Sequence, residues 1–124
     1  MNATQPILTI LVPVKDEEEA IAPFVSRVGK VLDGLPDPAA DSWEILFIDD
    51  GSNDATFAAI LVANASQKRV RAVSLSRNFG KEAALSAGLD YARGDAVIPI
   101  DVDLQDPPEV IADMIKAWRN GSEV

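Results

Sequence analysis

Four short apolar stretches rich in β-branched residues alternate along this chain with four segments whose apolar residues recur at helical spacing. The predicted strands cover residues 8–14, 43–50, 70–75 and 96–100. The predicted helices begin near Glu17, Asn53, Gly80 and Pro107. Uninterrupted apolar runs such as Ile45–Ile48 are typical of strands that are covered on both faces. The alternation therefore predicts an α/β domain in which helices cover both faces of a parallel sheet.

The expected strand order is 3-2-1-4, which places the second and fourth strands on either side of the first. Pro99 has no N–H group for a sheet ladder, so we expect a bulge or an unpaired position there. We expect Asn53 or Asp54 to cap the second helix and Gly94 to end the third. Residues 1–124 are long enough for one domain with its own core, which we expect to be truncated from a longer protein.

The composition excludes several classes of function. A net charge of -9 provides no basic surface for nucleic acid, so no nucleic-acid partner is expected. The absence of Cys and His rules out disulfides, thiolate metal sites and imidazole catalysis within this chain. No apolar run approaches the roughly 18–20 residues of a membrane span, and no signal peptide is apparent. We therefore expect a cytoplasmic location.

Polar and acidic residues follow each predicted strand. They are Lys15, Asp16 and Glu17; Asp49, Asp50 and Ser52; Ser76, Arg77 and Asn78; and Asp101, Asp103 and Gln105. Ligands of open parallel sheets bind beyond the carboxyl ends of the strands, near the point where the strand order reverses. The sequence thus predicts a polar ligand site at this edge of the sheet.

The segment Asp101-Val102-Asp103 is the strongest candidate for a metal site. On an extended backbone the two carboxylates point the same way and Val102 points the opposite way. Two nearby carboxylates repel each other unless a cation lies beside them, and a hard divalent ion with oxygen ligands would suit them together with Gln105. The alternative is that these acids are ordinary turn residues and that Asp106 caps the last helix.

The other polar clusters have two interpretations each. Asp49-Asp50-Gly51-Ser52 offers acceptors to a base or a ribose, yet the same residues make an ordinary turn. Glu17, Glu18 and Glu19 mostly suit a solvated first helical turn. Arg77 and Lys81 lie on the same predicted edge and could hold a diphosphate, or they could pair with nearby surface acids.

Four ordered motifs, "VPVKDEEE", "EILFIDDGSNDAT", "SLSRNFGKEAALSAGLDYARGD" and "VIPIDVDLQDPPEVI", resemble the N-terminal half of glycosyltransferase family 2 enzymes. The nearest branch is that of polyprenyl-phosphate glycosyltransferases, which includes dolichyl-phosphate mannose synthase and undecaprenyl-phosphate sugar transferases. The resemblance extends from about Leu8 to Trp118. It implies a Rossmann-like, nucleotide-binding GT-A fold.

The resemblance also implies roles for individual residues. Pro13, Lys15 and Glu17 correspond to positions at the nucleotide, although an aromatic residue is common where Lys15 stands and Asn where Asp16 stands. Ile48 and Asp50 correspond to base and ribose contacts.

The fourth motif supplies the remaining positions. Asp101, Val102 and Asp103 correspond to the segment that meets the diphosphate and metal, with Asp101 and Asp103 as the catalytic acids. Asp103 and Gln105 are the implied metal ligands.

The implied reaction is transfer of a glycosyl group from a nucleoside-diphosphate sugar to a polyprenyl phosphate, with Mg²⁺ or Mn²⁺ as cofactor. A UDP-sugar is the favoured donor and GDP-mannose the alternative. The whole protein would act at the cytoplasmic face of the membrane. Apolar surface left uncovered by an absent second half leads us to expect self-association.

Two other classes of protein share some features of this sequence. A phosphoacceptor receiver domain has a similar size and a Mg²⁺ site, but it requires an acceptor Asp after its third strand, where this chain has "SLSRN". A dinucleotide-binding domain requires G-x-G-x-x-G after the first strand, which is absent. A donor-binding module without turnover is a third alternative.

Overall fold

The computed structural model describes residue 6 and residues 8–35, 42–103 and 109–119. Its elements, in chain order, are β1 (Leu8–Val14), α1 (Glu18–Asp33), β2 (Trp43–Asp49), α2 (Thr56–Ser66), β3 (Val70–Ser74), α3 (Lys81–Tyr91), β4 (Ala96–Pro99) and α4 (Glu109–Arg119). The predicted succession of four βα units is confirmed. Gln105, Asp106 and the Pro107-Pro108 start of the last helix lie outside the described residues.

The four strands form one parallel sheet in the predicted order β3-β2-β1-β4. Strand β1 is central: all seven of its residues pair with β2, and residues 8–11 also pair with β4. The carboxyl ends of β2 and β4 therefore lie on either side of the end of β1. This arrangement brings the polar segments that follow these three strands close together.

The sheet separates two apolar layers. Helices α1, α2 and α4 cover one face, where Ile10, Val12, Phe24 and Phe47 lie in the larger core. Helix α3 covers the other face over Leu11, Leu46 and Ile48. Side chains alternate between the two faces along each strand, which explains why both sets are apolar in this sequence.

Helix α1 illustrates how the sequence determines the packing. Its buried residues Ile21, Phe24, Val28 and Leu32 recur every three or four positions, so they form a single stripe against the sheet. The Phe24 ring meets the Phe47 ring edge to face, with 5.8 Å between the centroids. All the charged residues of the helix lie at its other positions.

Helix α3 packs closely because it presents small residues to the sheet. A Cβ atom placed on Gly88 would lie 2.2 Å from Leu11 Cδ1 and 3.1 Å from Ile48 Cγ1. Helix α3 ends at Tyr91, three residues before Gly94, so the expectation that Gly94 ends it is wrong. Gly94 instead allows a close crossing of β1, where a Cβ atom would lie 2.5 Å from the Thr9 nitrogen.

Pro99 sits in a continuous register opposite Leu11, so no bulge is present. The Ile100 N–H donates to the Leu11 carbonyl at 2.9 Å. Because N–H groups alternate in direction along a strand, the Pro99 nitrogen faces away from β1. Among the described strands β4 is one of the two at the edges of the sheet, which is where a sheet tolerates proline.

A buried ion pair lies near the amino ends of the strands, away from the polar edge. The Glu44 side chain accepts hydrogen bonds from the Thr9 hydroxyl at 2.6 Å, the Arg71 guanidinium at 2.7 Å and the Arg93 backbone N–H at 2.8 Å. Glu44 is only 4% exposed, so these donors compensate for the loss of hydration. The cluster ties three strands to the α3–β4 loop.

Helix α2 has an apolar outer face and contains no charged residue. Ala58, Leu61, Val62 and Ala65 are exposed at a spacing that places them in one stripe, and Val62 is 71% exposed. The expected self-association of the chain stays a prediction. Within the part of the chain that the structure describes, no helix is long and apolar enough to cross a membrane.

We predict that Gly88→Ala lowers the free energy of unfolding by about 1–2 kcal/mol, because the added methyl group must displace the buried Leu11 side chain. Urea unfolding followed by circular dichroism measures the change. Gly29→Ala is the matched control: its Cβ atom would have one neighbour, an atom of Trp43 at 4.0 Å, so a helical alanine should stabilise the chain by up to about 1 kcal/mol. Equal stabilisation by both substitutions would contradict the packing described for α3.

Candidate functional site

An open cleft of about 510 Å³ lies at the carboxyl ends of the strands. Residues from four segments line it: Pro13, Val14, Lys15 and Glu17; Asp50; Asn78, Gly80 and Lys81; and Asp101, Val102 and Asp103. The first segment comprises the end of β1 and the residues beyond it, and the other three follow β2, β3 and β4 respectively. The parallel sheet thus brings together most of the polar residues that the sequence placed at this edge.

The loop after β1 and the loop after β2 are held together by reciprocal hydrogen bonds. The Asp16 backbone N–H donates to the Ser52 hydroxyl at 2.9 Å, and the Asn53 N–H donates to an Asp16 carboxylate oxygen at 2.7 Å. Asp16 adopts a left-handed conformation with φ of 53°, which Asp tolerates better than most residues. These contacts fix the chain between Lys15 and Glu17 at the edge of the cleft.

A second set of bonds orders the starts of α1 and α2. The Glu17 N–H donates to the Thr56 hydroxyl at 2.8 Å, and the Asp54 carboxylate accepts the Thr56 N–H at 2.9 Å and also its hydroxyl proton. Helix α2 begins at Thr56, so Asp54 satisfies a backbone donor of its first turn, although Ala55 is the residue at the cap position.

Hydrogen bonding sets the acidity of both loop carboxyls. The Asn53 N–H, helped by the Lys15 ammonium, holds the pKa of Asp16 below its usual value of 3.8. The Thr56 hydroxyl, helped by nearby backbone N–H groups, lowers the pKa of Asp54 in the same way. Both groups are therefore ionised at neutral pH, when the loops are held together.

Asp50 anchors the loop that follows β3. One carboxylate oxygen accepts the Phe79 N–H at 2.8 Å, and the other accepts the Gly80 N–H at 3.0 Å. Asp50 is 5% exposed, and hydrogen bonds to a buried carboxylate are among the stronger ones in proteins. Asp50 therefore holds the two residues that immediately precede α3, which begins at Lys81.

Gly51 makes this anchoring possible. Its φ is 72°, and a Cβ atom there would lie 2.4 Å from the Asn78 nitrogen and 2.5 Å from the Arg77 carbonyl carbon. These neighbours are backbone atoms, which cannot turn aside as a side chain can. The chain after β2 and the chain after β3 touch at this point only because residue 51 is glycine.

Asp101 and Asp103 both face the cleft, while Val102 between them is buried. Val102 nevertheless lines the cleft as well, and Val102 and Asp103 lie in a turn beyond β4, so the extended alternation predicted from the sequence is not seen. The Lys81 ammonium donates to an Asp101 carboxylate oxygen at 2.7 Å. Both side chains of this pair are about half exposed, so the bond lies at the open surface of the cleft.

The predicted site residues divide into three groups. Seven of them line the cleft: Pro13, Lys15, Glu17, Asp50, Asp101, Val102 and Asp103. Ile48 does not; it is fully buried beneath α3 beside Ala84, so its side chain does not reach a ligand in the cleft. Gln105 lies outside the described residues.

Some residues that line the cleft are not among the nucleotide and metal ligands implied by the family resemblance. Lys81 and Asn78 line the cleft, as the loop after β3 suggested, and Val14 lines it as well. The anchoring role of Asp50 was missed entirely. Its signal in the sequence is an acid after β2 that is followed by Gly51, which permits the backbone after β3 to approach closely.

The carboxylate oxygens of Asp101 and Asp103 are suitable ligands for a divalent cation. Asp101 and Asp103 offer oxygen ligands from one strand end, and the Lys81 ammonium already shows that a cation is accommodated at Asp101. Over residues 8–35, 42–103 and 109–119 no three acidic side chains are grouped closely enough to enclose a metal. A third protein ligand would have to come from elsewhere, and Gln105 is the residue that the sequence implied.

A sequence model described as Glycosyl transferase family 2 matches residues 9–124. The chain belongs to this family. The resemblance predicted from the four motifs is thereby confirmed. The names of similar proteins in the family also point to the predicted branch of polyprenyl-phosphate glycosyltransferases.

The chain is 50% identical over 117 residues to a bactoprenol glucosyl transferase of Shigella phage SfV, covering 94% of this chain and 37% of that protein. It is 44% identical over 117 residues to an uncharacterised glycosyltransferase of Synechocystis, covering 94% of this chain and 36% of that protein. A prophage bactoprenol glucosyl transferase homologue of Escherichia coli is 48% identical over 117 residues, with 94% and 37% coverage. The chain thus spans about a third of the length of these relatives.

Solved structures agree on the fold. A mannosyltransferase from Pyrobaculum calidifontis, in complex with GDP-Man and Mn²⁺, superposes with a TM-score of 0.75 at 25% identity over 91% of this chain and 32% of that one. Staphylococcus aureus TarS with UDP-GlcNAc superposes with a TM-score of 0.69 at 21% identity, over 91% and 31% of the two chains. The predicted GT-A fold is confirmed.

We predict that Asp50→Asn lowers the free energy of unfolding by about 1–3 kcal/mol, because a neutral amide replaces the charged acceptor of the Phe79 and Gly80 N–H groups. Urea unfolding gives the free energy, and amide hydrogen exchange reports on the Phe79 and Gly80 N–H groups. Asp90→Asn, on the exposed side of α3, is the control and should change neither. Unaltered exchange at both amides in Asp50→Asn would contradict the anchoring role.

We predict that acid weakens the contact between the loops after β1 and β2. The pKa of Asp16 is lower in the folded chain than 3.8, so its stabilising contribution is complete above that pH and disappears as the pH falls through the folded value. Asp16→Asn should therefore lose stability at about pH 6 and show a smaller further loss at about pH 3 than the wild type. Urea midpoints at the two pH values measure this, with Asp95→Asn as an exposed control; identical acid sensitivity in wild type and Asp16→Asn would refute it.

Proposed function

We propose that the chain forms the donor-binding part of a transferase that moves a glycosyl group from a nucleoside-diphosphate sugar to a polyprenyl phosphate. The observation that carries the proposal is the convergence of Asp101, Asp103 and Lys81 in one cleft with the segments after β1 and β2. Family membership and similarity to bactoprenol glucosyl transferases support the acceptor class, since bactoprenol is a polyprenol.

The cleft has suitable chemistry for a nucleoside diphosphate. Pro13, Lys15 and Glu17 form the side of the cleft next to β1, where the base and ribose would lie. The ammonium of Lys81, which also lines the cleft, provides positive charge for phosphate oxygens. The position of Asp50 supports an indirect role, because both carboxylate oxygens already accept backbone N–H groups.

Mg²⁺ or Mn²⁺, when bound, would supply a Lewis acid that stabilises the negative charge of the departing diphosphate. Asp101 and Asp103 would hold the ion through carboxylate oxygens, with Gln105 as a further ligand. The mannosyltransferase complex with GDP-Man and Mn²⁺ supports a divalent ion for this fold. The protein's own contribution is to fix these oxygens at a strand end, so that the diphosphate is oriented before transfer.

The acceptor explains why the chain can work without histidine. A phosphate oxygen of a polyprenyl phosphate is already anionic, so its attack on the sugar requires no strong general base. We place this reaction, in the whole protein, at the cytoplasmic face of a membrane, because the acceptor is a lipid. A UDP-sugar is the favoured donor, with GDP-mannose as the alternative.

Calorimetric titration of UDP and of GDP, each with Mn²⁺ and with a chelator, tests the donor site. We expect one nucleotide to bind in the presence of Mn²⁺ and to lose at least about tenfold in affinity when the metal is removed, because a bound cation would offset the repulsion between the diphosphate and the carboxylates. Asp103→Asn should weaken binding by a similar factor. Asp113→Asn, an exposed acid on α4, is the matched control and should bind like the wild type.

Two outcomes would count against the proposal. A folded wild-type chain that binds neither nucleotide with Mn²⁺ would show that these residues do not form a donor site. Equal nucleotide affinity in Asp103→Asn and Asp113→Asn would show that the acids after β4 serve only as turn residues.

A further inference from the structure

The contact between Lys81 and Asp101 is not explained by the stability of the fold. The Lys81 and Asp101 side chains are 61% and 48% exposed, and ion pairs at such exposure contribute little to folding. The buried pair of Glu44 and Arg71 shows how this protein builds an ion pair that ties strands together. The Lys81 pair instead bridges two segments whose common feature is that both line the cleft.

The position of Lys81 is nevertheless well determined by the structure. Lys81 is the first residue of α3, and the two N–H groups immediately before it belong to Phe79 and Gly80, which Asp50 holds. The backbone is thus anchored while the four-carbon side chain remains free to pivot in solvent. This combination suits a cationic group that changes its partner without moving the loop.

Asp101 cannot keep this ammonium unchanged if a divalent ion binds beside it. Two cations that share one carboxylate repel each other, and the repulsion is stronger when one of them carries two charges. A ligand in the cleft is an alternative partner for Lys81, because Lys81 itself lines the cleft. A diphosphate would offer the negative charge that the ammonium loses on leaving Asp101.

We propose that Lys81 is an exchangeable counter-ion: it neutralises Asp101 when the cleft is empty and turns to the donor's diphosphate when a divalent ion takes its place. This inference rests on the proposed donor site and assigns a positioning role to a residue outside the implied nucleotide and metal set. Binding of metal and nucleotide would then be coupled, because the metal releases the lysine that the diphosphate requires.

Lys15, the other lysine of the cleft, differs from Lys81 in its partner. Its ammonium lies 3.1 Å from Asp16, whose carboxylate also accepts the Asn53 N–H and does not line the cleft. A divalent ion at Asp101 and Asp103 would not displace it. The exchange is therefore specific to Lys81.

Lys81→Met tests the proposal through two affinities that should change in opposite directions. Electron paramagnetic resonance of free Mn²⁺ measures metal binding without nucleotide, and we expect about threefold tighter binding because the competing ammonium is gone. Calorimetry with Mn²⁺ and the preferred nucleoside diphosphate should show about tenfold weaker binding because a charge-assisted hydrogen bond is lost. The corresponding nucleoside monophosphate should lose less than about twofold.

Two further variants act as controls. Lys68→Met removes the same charge from an exposed position after α2 and should change none of the three affinities. Lys81→Arg keeps a cation at the start of α3 and should restore most of the diphosphate affinity. Circular dichroism confirms that each variant is folded.

The outcomes separate this inference from the proposed function. A wild type that binds Mn²⁺ and the diphosphate, with Lys81→Met unchanged in both, overturns the exchange and leaves the donor site intact. Tighter Mn²⁺ binding with unchanged diphosphate affinity also overturns it, because Lys81 would then be a counter-ion alone. A wild type that binds neither probe overturns the proposed donor site and this inference together.

Discussion

The pairing of β1 with strands on both sides is the constraint on which the rest of the molecule depends. Because β2 and β4 run parallel to β1, all three strands end at the same edge of the sheet. The polar residues that follow these strands must therefore share that edge. The apolar character of β1 on both faces allows helices to cover it from both sides. A chain whose acids are scattered along the sequence thereby gathers them into one cleft.

Asp50 links the architecture to the chemistry of the cleft. Asp50 directly follows β2, and its carboxylate accepts hydrogen bonds from the loop after β3. This side chain is a brace that connects the ends of the two strands. Gly51 allows the two backbones to touch where the brace is made. The brace positions the start of α3, and through it Lys81, opposite the acids that follow β4. A buried carboxylate with a structural role can in this way govern a site whose ligand it need not touch.

Most of the fold could be predicted from the sequence because its signals are local. Strand and helix periods and the succession of βα units depend only on neighbouring residues. The strand order followed from the parallel arrangement and the family resemblance. The partners of Asp50 could not be predicted, because they depend on a loop about 30 residues away in the chain adopting one conformation.

Ile48 and Gly94 show the same limit. Ile48 lies two residues before Asp50 and points toward the same layer, but α3 covers Ile48 while only the start of α3 reaches Asp50. Sequence alternation alone cannot tell which of the two positions a helix will cover. Glycine is a common residue at helix ends, but Gly94 is required for a different reason. The chain passes so close to the Thr9 backbone there that a side chain would not fit. Both differences arise from the packing of distant segments.

The placement of Pro99 has a consequence for how molecules meet in solution. In β4 the groups that face outward belong to Val97 and Pro99, and Pro99 has no hydrogen to donate, so only Val97 offers an outward N–H within the strand. A strand approaching from outside could form a ladder with one donor where a regular edge would give two. In the sheet that the structure describes, the proline therefore makes the β4 edge a poor template for adding a further strand.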